Sequence, residues 1–142
     1  MEKHIGDKIN KVSYKIKREI SKLPAIEKLD RVSPTNGFIL IYIYESKNDV
    51  FQKDIEKHFG MTRSTASKII SLMEQKNLII RESVLEDQRL KKLVLTEEAK
   101  KLCVDVIDQI NEFEKKLSQN VDVEKMNELL KIIDSNLDGG IF

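Results

Sequence analysis

The sequence predicts a mainly α-helical protein carrying one small β-hairpin. Three observations predict it. Apolar residues recur at helical spacing along most of the chain. Only two short β-prone runs, 78–83 and 90–95, break that pattern, and a polar turn separates them. Gly and Pro number only 5 and 2, and Trp is absent, which argues against both a β-sandwich and a disordered chain. A length of 142 residues suits one domain.

Each element follows from local pattern. Ile5, Ile9, Val12, Ile16, Ile20 and Leu23 step by three or four residues and form one stripe of a first helix. Pro24 stops that helix or marks its last turn. Ser33-Pro34 reads as an N-cap followed by the first helical residue. The run Phe38 to Tyr44 is apolar nearly all round; its composition suits a strand, but the Ser-Pro start favours a short buried helix. Ile55 and Phe59 sit one turn apart, and Gly60 follows as a stop. Thr62 then caps a helix with Ala66, Ile69, Ile70 and Met73 on its inner face, and Asn77 is its expected left-handed terminator. Thr96, followed by Glu97 and Glu98, opens a long helix with the stripe Leu102, Val106, Ile110, Phe113 and Leu117. A last helix starts near Val123 and carries Met126, Leu129, Leu130, Ile133 and Leu137.

The unit of interest spans 52–95: helix, tight turn, helix, hairpin. That order is a helix-turn-helix followed by a wing. The second helix begins Thr62, Arg63, Ser64, Thr65, with Ser67 and Lys68 one turn on. Small hydroxyls permit close approach to base edges, while Arg and Lys reach guanine acceptors and phosphates. The N-terminal half of a recognition helix is where such contacts fall. Arg89 stands at the hairpin tip beside Asp87, placed to enter a narrow minor groove, with Lys91 and Lys92 on the flank. Lys53 and Arg81 are further candidate phosphate contacts. Net charge is only +1, but it is uneven. Residues 1–31 carry 9 basic and 5 acidic side chains, 51–95 carry 9 and 6, and 96–142 carry 6 and 11.

Other chemistries find little support. There is no phosphate-cradling glycine loop, nucleophile elbow or zinc-hydrolase helix motif, so no catalytic residue and no cofactor is expected. His4, His58 and Cys103 do not have metal-ligand spacing, so no metal site is expected either. Cys103 lies beside an apolar stripe, where an inert packing role is expected, and a single cysteine excludes an internal disulfide. No apolar run reaches the roughly 20 residues that span a bilayer, and the charged start does not resemble a signal core; a cytoplasmic protein is the expectation.

Asp87-Gln88-Arg89-Leu90-Lys91-Lys92-Leu93-Val94-Leu95-Thr96 resembles the wing signature of the MarR family of bacterial transcriptional regulators. Ser64-Thr65 through Leu72-Met73-Glu74, and Leu78-Ile79-Ile80-Arg81, resemble that family's recognition helix and first wing strand. The resemblance implies one MarR-type domain over 1–142, with a winged helix-turn-helix at 33–95 and dimerisation helices at 1–32 and 96–142. It implies a homodimer that places two recognition helices about 34 Å apart on a pseudo-palindromic double-stranded DNA site. It further implies a repressor responsive to a small aromatic or phenolic effector, with Tyr14, Phe38 and Tyr42 as candidate liners of its cleft. The sequence departs from the family pattern at Phe51, where a capping Thr or Ser is common, at Glu56, where a small residue is usual, and at Asn77, which replaces Gly. A protein-interaction module on the same scaffold is the competing reading. It would show apolar anchors where this chain has Arg63, Ser64, Thr65, Ser67 and Lys68.

Overall fold

The computed structural model describes residues 3–32 and 37–138. Its elements run α1 (Ile5–Ser21), α2 (Pro24–Val32), α3 (Phe38–Glu45), α4 (Gln52–Phe59), α5 (Arg63–Gln75), β1 (Ile79–Ser83), β2 (Lys91–Leu95), α6 (Glu97–Leu117) and α7 (Val123–Asp138). The mainly helical fold with a two-stranded wing is the one expected. The Ser33-Pro34 start lies outside the described residues. The apolar run after it is helical, and Ile39, Leu40, Ile41 and Ile43 are all buried.

One boundary differs from the expectation. Pro24 does not merely end the first helix; a second helix begins on it. Proline fits a first helical turn because its missing N–H would have no intrahelical partner there. The next free donor, the Ala25 N–H, finds the Gln109 side-chain carbonyl on α6 at 2.9 Å. Ala25, Ile26 and Leu29 of α2 are buried. Gly37 lies so close to Leu29 that an added Cβ would stand 2.8 Å from Leu29 Cγ.

The chain divides into two units, Met1–Gln109 and Ile110–Phe142. The first holds the buried core. Ile55 of α4, Ala66, Ile70 and Met73 of α5, Leu78 and Ile79 before and in β1, Leu93 and Leu95 of β2, and Ala99, Leu102, Cys103 and Val106 of α6 all contribute. On α5 they step by four and three, and on α6 Ala99, Leu102, Cys103 and Val106 share one side, so each helix presents one face inward. β1 and β2 are antiparallel, with Ile79 opposite Leu95 and Ser83 opposite Lys91. The Leu93 N–H also donates to the Val50 carbonyl at 2.8 Å, which seats the wing on the segment leading into α4.

Turn chemistry sets the joints. Gly60 closes α4 at φ 61°, and Asn77 follows α5 at φ 60°. α4 starts without a side-chain cap on Phe51. Half of a capping box survives, because Asp54 Oδ2 accepts from the Phe51 N–H at 2.8 Å. Glu56 is half-buried and accepts from Gln52 Nε2 at 3.2 Å, so it turns along its own helix instead of filling the space a small residue would occupy.

The second unit comprises the distal turns of α6, a turn and α7. Asn120 is left-handed at φ 61°, and Asp122 Oδ1 accepts from the Lys125 N–H at the start of α7. No residue of α7 is buried, and none of α1 is. Ile5, Val12, Met126, Leu129, Leu130, Ile132 and Leu137 are exposed, although both helices are strongly amphipathic.

Thr96 caps α6 and holds the wing base at once. Its Oγ1 accepts from the Ala99 N–H and donates to the Asn77 carbonyl at 2.9 Å. Thr96→Ala is expected to lower stability by about 1–2 kcal/mol, measured by urea unfolding at fixed protein concentration. An unchanged midpoint would show that the cap contributes nothing.

Candidate nucleic-acid interface

The surface proposed from sequence is built on α5 and the hairpin. Thr62 stands at the N-cap of α5 with φ −72° and ψ 160°; its Oγ1 accepts from the Thr65 N–H at 3.2 Å and donates to Thr65 Oγ1 at 3.0 Å. The cap leaves the other first-turn N–H groups directed outward, where the helix dipole favours an anion. Arg63, Ser64, Thr65 and Lys68 are exposed and Ser67 is half-buried. Among the described residues no ion pair engages Arg63 or Lys68, so both cations are available. Gln75 extends the line of Ser64 and Lys68 by two turns and is exposed, a continuation that the sequence reading stopped short of.

α4 supports this helix from behind. Gln52 Nε2 reaches the Arg63 carbonyl at 3.4 Å as well as Glu56. Sequence reasoning missed Gln52; its signal was the four-residue spacing to Glu56. Lys53, one position on, is exposed. The Tyr42 ring stacks on His58 at 4.3 Å between centroids and meets Phe59 edge-on at 5.8 Å, joining α3 to α4.

On the hairpin the cations divide into two kinds. Arg81 Nε lies 3.3 Å from Glu74 Oε1, and its Nη2 donates to Ser71 Oγ at 3.2 Å. Arg81 thus fastens β1 to the C-terminal half of α5. Lys92 faces Glu82 at 3.9 Å across the strands, and Lys91 Nζ donates to Ser83 Oγ. Arg89 is different: 94% of its side chain is exposed. Asp87 Oδ1 accepts from the Arg89 N–H at 2.9 Å and from Nε at 3.4 Å, holding the guanidinium at the tip. The Leu90 N–H donates to the Asp87 carbonyl and Val84 to Leu90, which closes the loop.

The three candidate effector residues are not gathered into one cavity. Tyr14 is 68% exposed on α1, Phe38 is 48% exposed on α3, and Tyr42 is half-buried in its stack. A groove of about 400 Å³ lies elsewhere, between Tyr44, Val50, Lys92, Leu93 and Lys100. No group of three or more potential metal ligands occurs among the described residues. No described helix is long and apolar enough to cross a membrane.

Cys103 is fully buried on α6, and burial, with the Glu45 charge adding to it, pushes its thiol from 9.0 up to about 11. The folded state therefore favours the neutral thiol.

A helix-turn-helix followed by a hairpin whose tip carries an exposed arginine defines a winged helix-turn-helix protein. Residues 32–90 match the family model described as the MarR family. Solved structures agree over nearly the whole chain. The transcription regulator MarR from Oenococcus oeni PSU-1 is similar at 23% identity and a TM-score of 0.67, covering 96% of this chain and 100% of that one. The S. aureus MepR–DNA complex is similar at 26% identity and a TM-score of 0.63, covering 91% and 94%. The heme sensor PefR from Streptococcus agalactiae in complex with heme is similar at 18% identity and a TM-score of 0.67, covering 99% and 95%. The family match thus falls on the winged helix-turn-helix segment, and the likeness in fold extends over the helices on either side of it.

Cys103 carries a direct test. Its neutral thiol contributes stability that is complete below pH 9.0 and is lost as pH rises through about 11. A thiol-specific reagent at pH 8 is expected to label the native protein slowly and the urea-unfolded protein at once. Equal labelling rates would contradict the burial.

Proposed function

We propose that this chain is a sequence-specific DNA-binding transcriptional regulator, acting as a homodimer and repressing by occupying its operator. The observation that carries the reading is the pairing of two exposed probes on one small body. One is the first turns of α5, with Thr62, Arg63, Ser64, Thr65, Ser67 and Lys68. The other is Arg89, held out by Asp87. Hydroxyls and a free cation suit major-groove edges, and an isolated arginine on a narrow ribbon suits the minor groove. The structural similarity to MepR, which has been solved bound to DNA, supports the same use of the fold. An interaction module would need apolar anchors on this face, and the first two turns of α5 offer none.

The exposed stripes of α1 and α7 support the second half of the proposal. Large apolar faces of this kind are covered in stable proteins, and a two-fold partner would cover both while duplicating the probes. In this reading double-stranded DNA and a second copy are the partners, and the cytoplasm is the site of action. A small aromatic or phenolic effector would act by favouring a different separation of the two probes. Phe38 and Tyr42, one turn apart on α3, are its candidate contacts, with Tyr14 on α1. The heme complex of PefR shows that a protein of this fold holds a planar ligand.

Two experiments test this. In gel shifts against the DNA upstream of its coding region, affinity is expected to fall steeply with salt. Lys68→Ala is expected to reduce the log–log slope by about two, roughly one for each copy. Arg89→Ala is expected to weaken binding about tenfold or more. A salt-insensitive affinity, or variants that bind like the parent, would overturn the DNA reading. In analytical ultracentrifugation the chain is expected to sediment at twice its 16.5 kDa mass. Ile9→Asp, on the α1 stripe, is expected to shift it toward monomer. A monomeric parent would overturn the dimer.

A further inference from the structure

The wing tip holds a residue that neither its charge pattern nor the family signature explains. Leu85 is 100% exposed, in the loop 84–90 that carries Arg89. A fully solvated leucine contributes nothing to the core, and the polar tip residues around it would serve solubility equally well. The charges of the tip make the position more telling. Glu86 is exposed, Asp87 is tied to Arg89, and Arg81, Lys91 and Lys92 are all engaged lower on the hairpin. With Lys91, whose charge its neutral Ser83 partner does not cancel, the tip charges Glu86, Asp87 and Arg89 sum to zero. Electrostatics would therefore give the tip little attraction for a phosphate-lined groove.

We propose that Leu85 is a DNA-contacting residue of the wing, lying against the deoxyribose walls of the minor groove that Arg89 enters. Sugar rings are the apolar part of that groove, and a branched aliphatic side chain covers them without requiring a hydrogen-bond partner. Desolvation of Leu85 and sugar would supply the favourable term that the tip charges lack, and it would keep Glu86 to the solvent side. The contact is non-ionic, so it adds affinity at every salt concentration equally. This inference rests on the DNA-binding reading.

The test is a salt series of DNA affinities for the 142-residue parent, Leu85→Ala and Leu85→Ser, on one duplex taken from the DNA upstream of its coding region. Both variants should keep the parent's unfolding midpoint, because the side chain lies outside the core. The expected result is binding weakened by about 5- to 30-fold, from apolar area left unburied in two copies, with a log–log salt slope parallel to the parent's. Parental affinity in both variants would overturn the inference while leaving the DNA reading intact. A lowered salt slope would also overturn it, because Leu85 would then be acting through the placement of a charge. A parent that fails to bind DNA would overturn the reading beneath, and the inference with it.

Discussion

The hydroxyl of Thr96 is the point on which the interface geometry turns. It donates to the Asn77 carbonyl, accepts from the Ala99 N–H, and is joined by its own backbone N–H donating to the Leu78 carbonyl at 3.1 Å. Four elements meet there: the end of α5, the start of β1, the end of β2 and the first turn of α6. Asn77 makes the meeting possible, because its left-handed backbone lets the Leu78 N–H return to the Met73 carbonyl at 2.9 Å while the chain leaves as a strand. The distance between helix probe and hairpin probe is set at this junction. Arg81 reinforces it from the other side by tying β1 to Ser71 and Glu74 of α5.

Charge on the hairpin is consequently divided between structure and recognition. Arg81 and Lys92 sit in pairs that stiffen the wing, and only Arg89 projects freely with its guanidinium steered by Asp87. Exposed ion pairs of this kind add little to stability, about 0–1 kcal/mol each, so their main effect is on orientation. A count of basic residues in 51–95 thus overstates the positive field at the tip. On α5 the opposite holds, since Arg63 and Lys68 have no acidic partner among the described residues.

Much of this was legible before the structure. Gly60, Thr62, Asn77 and Thr96 each announce a joint through their own backbone or capping chemistry, and each stands where that chemistry predicts. α2 was missed because Pro24 both ends and begins helices, and the partner of the next free N–H, Gln109, lies 84 residues away. The double role of Arg81 was equally hidden: a cation opposite Ser71 and Glu74 becomes visible only once β1 is folded against α5. The same holds for Tyr42, whose stacking partner His58 lies on the next helix. Periodicity reveals which face of a helix turns inward, but not which polar groups are held by distant ones. For α1 and α7 it showed apolar stripes that the single chain leaves in solvent.

The central claim is that a helix beginning at Thr62 and a ribbon tipped by Arg89 act together on one duplex, each present twice. Dimethyl sulfate footprinting of the intergenic DNA at physiological ionic strength, which reads guanine N7 in the major groove and adenine N3 in the minor groove, addresses it directly. The account predicts two major-groove protections whose centres lie about one helical turn apart, each flanked on its outer side by a minor-groove protection. A footprint limited to one groove, or uniform weak protection along the whole fragment, would contradict it.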